Sequence, residues 1–181
     1  MVRRRTSLRL PGYDYTRPGG YYVTIVTKDR IPLFGRVVDG EMILNDLGRI
    51  VVDAWNDLPN HYPHVLLDAF IVMPDHVHGI VVLTDGQDRG MERARRARRD
   101  SRGDRGPRPH GLPETVRAFK PFPARRIHER RGTPGGSVWQ RGYYDRILRT
   151  AADWRSARWY IATNPQRWEM SRSSRSFQSS R

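Results

Sequence analysis

Two histidines stand two residues apart in the run Val72-Met73-Pro74-Asp75-His76-Val77-His78. On a strand, positions i and i+2 share a face, so His76 and His78 can reach one metal ion while Val77 points the other way. A pair of plain surface or core histidines gives the same spacing, so its meaning depends on what else converges there. Tyr160 and Asn164 stand four apart near the end of the last helical pattern, which places a phenol and an amide oxygen on one helix face. The plainer alternative is that Tyr160 packs as a core residue and Asn164 caps the helix.

Taken together, the two pairs permit one chemistry. A divalent ion held by two neutral imidazoles and an amide oxygen keeps positions open for a phosphate oxygen, which it polarises as a Lewis acid. A tyrosine hydroxyl can then attack phosphorus, leaving a phosphotyrosine and a free 3′-hydroxyl. A phenol of pKa near ~10 is a poor nucleophile at neutral pH and needs a cation or base beside it. Attack by a different 3′-hydroxyl reverses the step and rejoins strands without ATP. No glycine-rich phosphate loop is present, so no nucleotide cofactor is expected.

The composition narrows the partner. The 181 residues carry 33 Lys and Arg against 19 Asp and Glu, a net charge of +14 that attracts polyanions such as nucleic acid or an anionic membrane surface. All but Lys28 and Lys120 of these cations are arginine, the planar fork suited to bidentate phosphate contact. There is no cysteine, so any metal must sit on His and oxygen ligands, and a reducing cytoplasm fits. The basic start is followed by Leu10-Pro11-Gly12 rather than an apolar leader. The apolar stretches are too short to span a bilayer, so a soluble protein with no membrane partner is expected.

The elements that must position these residues can be read from periodicity. Residues 21–27 (YYVTIVT) form a β-branched, aromatic strand. Residues 36–38 and 41–44 flank Asp39-Gly40 as a hairpin. A helix runs from a cap at Asn45 or Asp46 to about Leu58. Residues 65–73 and 77–83 read as central strands because they are almost continuously apolar. Residues 86–112 form a flexible Arg-rich insertion with too few apolar side chains for a core. A helix over 113–131 is interrupted by Pro121 and Pro123. Residues 138–148 are an aromatic strand, residues 151–163 a helix ended by Asn164-Pro165, and 169–181 a disordered tail. Residues 1–9 are a basic arm.

At this point the motifs match a family. The segment Val72 to Ile80 with its His-Val-His core resembles the IS200-like transposases, and more closely the REP-associated tyrosine transposases. Further similar segments are Leu10-Pro11-Gly12-Tyr13-Asp14-Tyr15, Leu33-Phe34-Gly35, Arg131-Gly132-Thr133-Pro134-Gly135, Val138 to Asp145, and Trp159-Tyr160-Ile161 running into Asn164-Pro165. The ordered combination covers residues 8 to 168. It implies an α+β fold, a ferredoxin-like antiparallel sheet with helices on one face. It also implies Mg²⁺ or Mn²⁺ at the His pair, and cleavage of single-stranded DNA near hairpins by a protein acting as monomer or homodimer. In IS200-like enzymes the nucleophile lies on a late helix and a polar metal ligand follows four residues later, which maps onto Tyr160 and Asn164. Tyr144 is the alternative nucleophile and Tyr143 the third. The chain departs from the pattern in its long insertion, in Pro121 and Pro123, and in Arg146, where a His is common.

For DNA contacts the candidates are Arg3, Arg4 and Arg5 as a flexible arm, Arg141, Arg146 and Arg149 along the aromatic stretch, and Trp139, Tyr143 and Trp168 as stacking rings. Core packing of the rings and a solvated arginine face are the competing readings. The function implied is nicking and joining of hairpin DNA; the alternative is a catalytically inactive or domesticated DNA-binding protein. A small-substrate metallohydrolase is disfavoured by the charge and by the lack of a carboxylate cluster near the His pair.

Overall fold

The computed structural model describes residues 10–85, 111–133 and 135–178. The arm with Arg3, Arg4 and Arg5 and most of the Arg-rich insertion lie outside the described residues. The elements are β1 (Gly19–Val26), β2 (Gly35–Val38), β3 (Glu41–Leu44), α1 (Asp46–Asn56), α2 (Leu58–His61), β4 (Val65–Met73), β5 (His76–Leu83), α3 (Leu112–Phe119), α4 (Pro121–Arg131), β6 (Tyr144–Leu148), α5 (Ala151–Ala162) and α6 (Asn164–Gln178).

Four strands form one antiparallel sheet in the order β4-β5-β1-β6, and β2-β3 is a separate hairpin inserted between β1 and α1. Without that hairpin and α2, the order β-α-β-β-α-β with β1 central is the ferredoxin-like arrangement expected. The hairpin turns on Asp39 and Gly40, both at positive φ (51° and 74°), the geometry that twists with the flanking strands.

Strand alternation divides the side chains between two faces. Tyr21, Val23 and Ile25 of β1 and Val77 and Val81 of β5 join Val51, Ala54 and Trp55 of α1, Val116 and Phe119 of α3 and Ile127 of α4 in the main core. α1 begins where the sequence indicates: Asn45 Oδ1 accepts the Gly48 N–H at 2.9 Å, while its amide donates to the Leu33 carbonyl. Trp55 stacks on Phe70 with ring centroids 4.4 Å apart, over the space left by Gly79.

The opposite face carries His76, His78 and Ile80, with Tyr22 and Thr24 beside them across the β1-β5 register. There Ile80 and Leu148 pack against Ala157 and Ile161 of α5. Thus the sheet bears α1, α3 and α4 on the face expected to carry helices, and α5 lies on the other. Two features fix α5. Its N-terminus is a capping box, with Thr150 and Asp153 exchanging hydrogen bonds. Its side meets β4 through Arg158, whose guanidinium reaches both Asp68 oxygens at 2.8 and 2.7 Å. Asp68 lies at the register shift between Leu67 and Phe70, where β4 bulges.

Several expectations shift by a few residues, each for a physical reason. Pro121 and Pro123 do not distort one helix; they open a second, because proline is tolerated in a first turn that donates no backbone bonds. The insertion ends before Leu112, which is fully buried and starts α3. The aromatic strand shortens to residues 144–148, and Trp139 makes only an isolated bridge to Thr27. The tail after residue 168 is not disordered throughout: Pro165 opens α6, which continues to Gln178.

A Cβ added at Gly79 would come within 2.4 Å of Trp55 Cζ2, inside a stacked pair that cannot yield without moving α1. Gly79→Ala is expected to destabilise the fold by about 1–3 kcal/mol, as overpacked cores do. Urea unfolding of the two proteins measures this, and an unchanged midpoint would show that α1 adjusts freely.

Candidate active site

The register between β1 and β5 builds the site. Thr24 pairs with His78 and Val26 with His76, and Thr24 pairs on its other side with Tyr144 of β6. His76 and His78 therefore share one face, as expected, with their ring centroids 4.5 Å apart. Both are buried, at 7% and 5% exposure.

Each imidazole is held from behind by oxygen. The Pro74-Asp75 turn is pinned by backbone bonds from Thr27, Leu33 and Phe34. It delivers the Asp75 carboxylate to His76 Nδ1 in a short hydrogen bond. Arg30 lies 3.5 Å from the other Asp75 oxygen and is held at a positive φ of 54°. His78 Nδ1 lies 2.7 Å from Tyr22 Oη and 2.8 Å from Thr24 Oγ1. With Nδ1–H donating to these hydroxyl oxygens, Nε2 carries the lone pair. Among the described residues His78 Nε2 is buried with no hydrogen-bond partner. The opposite tautomer would bury an unpaired N–H, which costs more. Burial, and secondarily His76, holds the His78 pKa down to about 3, so its ring is neutral at physiological pH.

Two imidazoles on one face, each oriented by an oxygen at Nδ1, are arranged as histidines that ligate metals are. The donor set fits a divalent ion. Among the described residues no group of three or more His, Cys, Asp or Glu could supply a third protein ligand. Asn164 is 5% exposed and lines the same cleft as both histidines.

Tyr160 comes from α5 above the sheet. Its ring lies edge-on to His78 at 5.3 Å and to Tyr22 at 6.3 Å. It is 36% exposed and separates two clefts of about 770 and 990 Å³. The first is lined by Tyr22, Arg146, Arg155 and Ser156, the second by His76, Asn164 and Trp168, and Thr24, His78, Tyr144, Trp159, Tyr160 and Arg167 border both. Tyr144 therefore reaches the site from β6, whereas Tyr143 packs toward the main core on the other side.

Other sequence candidates fall elsewhere. Trp139 cannot stack on DNA: it is 5% exposed, packed between Phe34 and Phe119, and its indole N–H donates to the Lys120 carbonyl. Arg141 is exposed but borders neither cleft, and Arg149 lies in a separate groove with Leu10 and Asp153. Arg30, Arg155, Arg167, Tyr22 and Thr24 went unread in the sequence. The period-two alternation of β1 puts Tyr22 and Thr24 on one face, but only the register to β5 shows that this is the histidine face.

Because the folded protein resists protonating His78, the unfolded chain binds the extra proton first. Stability from this group is fully present above pH 6.5 and falls away as pH drops from there toward 3. The urea midpoint, measured in chelator, is expected to fall across this window, and His78→Gln is expected to flatten that part of the profile. An equally steep profile in the variant would assign the loss to other groups.

No protein-family model matches the chain. A Haemophilus influenzae protein of uncharacterized function is 32% identical over 168 residues, covering 93% of this chain and 92% of its own length. A second Haemophilus influenzae protein, provisionally named a REP-associated tyrosine transposase, is 24% identical over 152 residues, or 84% of this chain and 73% of that protein. The solved structure of a REP-associated tyrosine transposase bound to a REP hairpin superposes with a TM-score of 0.50 at 19% identity, covering 92% of this chain and 74% of that one. At that identity the likeness is one of fold. Among the described residues, no helix is long and apolar enough to cross a membrane. The chain thus shares the fold of a REP-associated tyrosine transposase and is similar over most of its length to a protein provisionally given that name.

Proposed function

We propose that this chain is a transposase that nicks and joins single-stranded DNA at hairpin or REP-like sequences through a covalent 5′-phosphotyrosine, with Tyr160 as the nucleophile. The observation that carries this reading is a buried, neutral His78 whose Nε2 has no hydrogen-bond partner, lining the same clefts as an accessible tyrosine.

His76, His78 and Asn164 would hold a divalent ion, and that ion supplies Lewis-acid polarisation of a phosphate oxygen. The mixed nitrogen and oxygen donors suit Mn²⁺ better than Mg²⁺, which prefers oxygen. Tyr160 Oη forms the new bond to phosphorus as the bond from phosphorus to the 3′-oxygen breaks. The 3′-oxygen leaves with a proton as a free hydroxyl, and the phenol proton passes to solvent or a base. Arg167, whose Cζ lies 5.1 Å from the Tyr160 ring centre, would set a cation beside the reacting phosphate. Asp75, Tyr22 and Thr24 hold the imidazoles at fixed angles, so the site needs little reorganisation. Tyr144 remains the second candidate because it borders both clefts.

Incubation with labelled single-stranded hairpin DNA and Mn²⁺, followed by denaturing electrophoresis, is expected to give a covalent protein-DNA band in wild type and Tyr144→Phe and none in Tyr160→Phe. Loss in Tyr144→Phe alone would move the nucleophile to β6. His76→Ala is expected to lower cleavage at least a hundredfold while DNA affinity stays within about threefold, since oriented ligands are worth factors of this size. No band with any hairpin, together with retained DNA affinity, would favour an inactive DNA-binding protein. Affinity should also drop roughly tenfold or more between 50 and 200 mM salt as arginine-phosphate contacts release counterions, and a flat response would contradict the electrostatic account.

A further inference from the structure

The two most exposed large apolar side chains among the described residues are Met170, at 70%, and Trp159, at 60%. Both line the cleft that holds the His pair. α5 already satisfies the sheet with Ala157 and Ile161, so the outward Trp159 adds nothing to the fold's packing. The Arg167 guanidinium spans its ring and the next one, with Cζ 5.6 Å from the Trp159 centroid and 5.1 Å from that of Tyr160. Among the described residues no carboxylate lines this cleft, while Arg30 and Arg167 do.

A ligand that suits such a surface has a flat, apolar face and a negative charge close to it. A nucleotide has both, but within a duplex its base faces are hidden in the stack. We propose that Trp159, flanked by Met170 and Arg167, is a stacking platform for one unpaired nucleobase adjoining the phosphate that Tyr160 attacks. This deepens the transposase reading and rests on it. The platform makes the site selective for unpaired DNA without reading sequence, because every base offers a similar face.

Binding of the full chain to a fluorescently labelled twelve-residue oligothymidylate, and to the matching duplex with oligoadenylate, tests the proposal. Trp159→Ala is expected to weaken the single strand about tenfold and leave the duplex unchanged, the size of one lost stacked base. Trp159→Phe, which keeps an aromatic face, is expected to recover most of the difference. Trp159 is largely solvent-exposed, so its truncation leaves the core intact. The platform is overturned if Trp159→Ala binds the single strand as wild type does, or weakens both forms equally. If wild type binds neither form, the DNA reading itself falls and the platform with it, whereas a covalent Tyr160 adduct with insensitive binding removes the platform alone.

Discussion

His78 lies beside Thr24 because eight consecutive residue pairs tie β1 to β5, from Gly19 with Leu83 to Val26 with His76. Slipping that pairing by one residue would turn every side chain of one strand to the opposite face. Val77 and Val81 would leave the main core, and the imidazoles would lose the hydroxyls behind them. The apolar cost of such a slip is large, since Tyr21, Val23, Ile25, Val77 and Val81 are almost wholly buried. The same burial that stabilises the sheet therefore fixes the chemistry on its far side.

That far side combines opposed requirements. Polar groups removed from water must find partners, and those around the histidines do: Asp75 with His76 and Arg30, Tyr22 and Thr24 with His78. His78 Nε2 departs from this rule. Trp55 Nε1 shares that condition inside the main core, whereas His78 lines both clefts. The two halves of the site also differ in how they are anchored. The histidines ride on a central strand, whereas Tyr160, Asn164 and Arg167 ride on two helices that meet at Thr163 and pack from outside.

Much of this was legible in the residues, and the limits are physical. The shared face of His76 and His78 follows from strand periodicity, and that of Tyr160 and Asn164 from helical spacing. The cap at Asn45 and the turn at Asp39-Gly40 announce themselves through local chemistry. Trp139 was not readable: its burial depends on the bridge to Thr27 and on the end of α3, both distant in sequence. Arg167 was hidden because its partners are seven and eight residues back across a helix break. Pro165 marks the end of α5 in the sequence and also begins α6, since proline stops one helix and starts another equally well. Trp159 and Tyr160 are adjacent, and nothing local reveals which ring leaves the core.

The order of elements along the chain carries a temporal meaning. Every strand of the sheet, with both histidines, precedes residue 149, and Tyr160 comes only afterwards on α5. Domains begin to fold as they leave the ribosome, N-terminal parts first. The histidine face of a nascent chain can thus assemble while the helix bearing Tyr160 is still being translated. With Tyr160 as the proposed nucleophile of DNA cleavage, this topology would withhold it from messenger RNA and other polyanions until the surface that positions it exists.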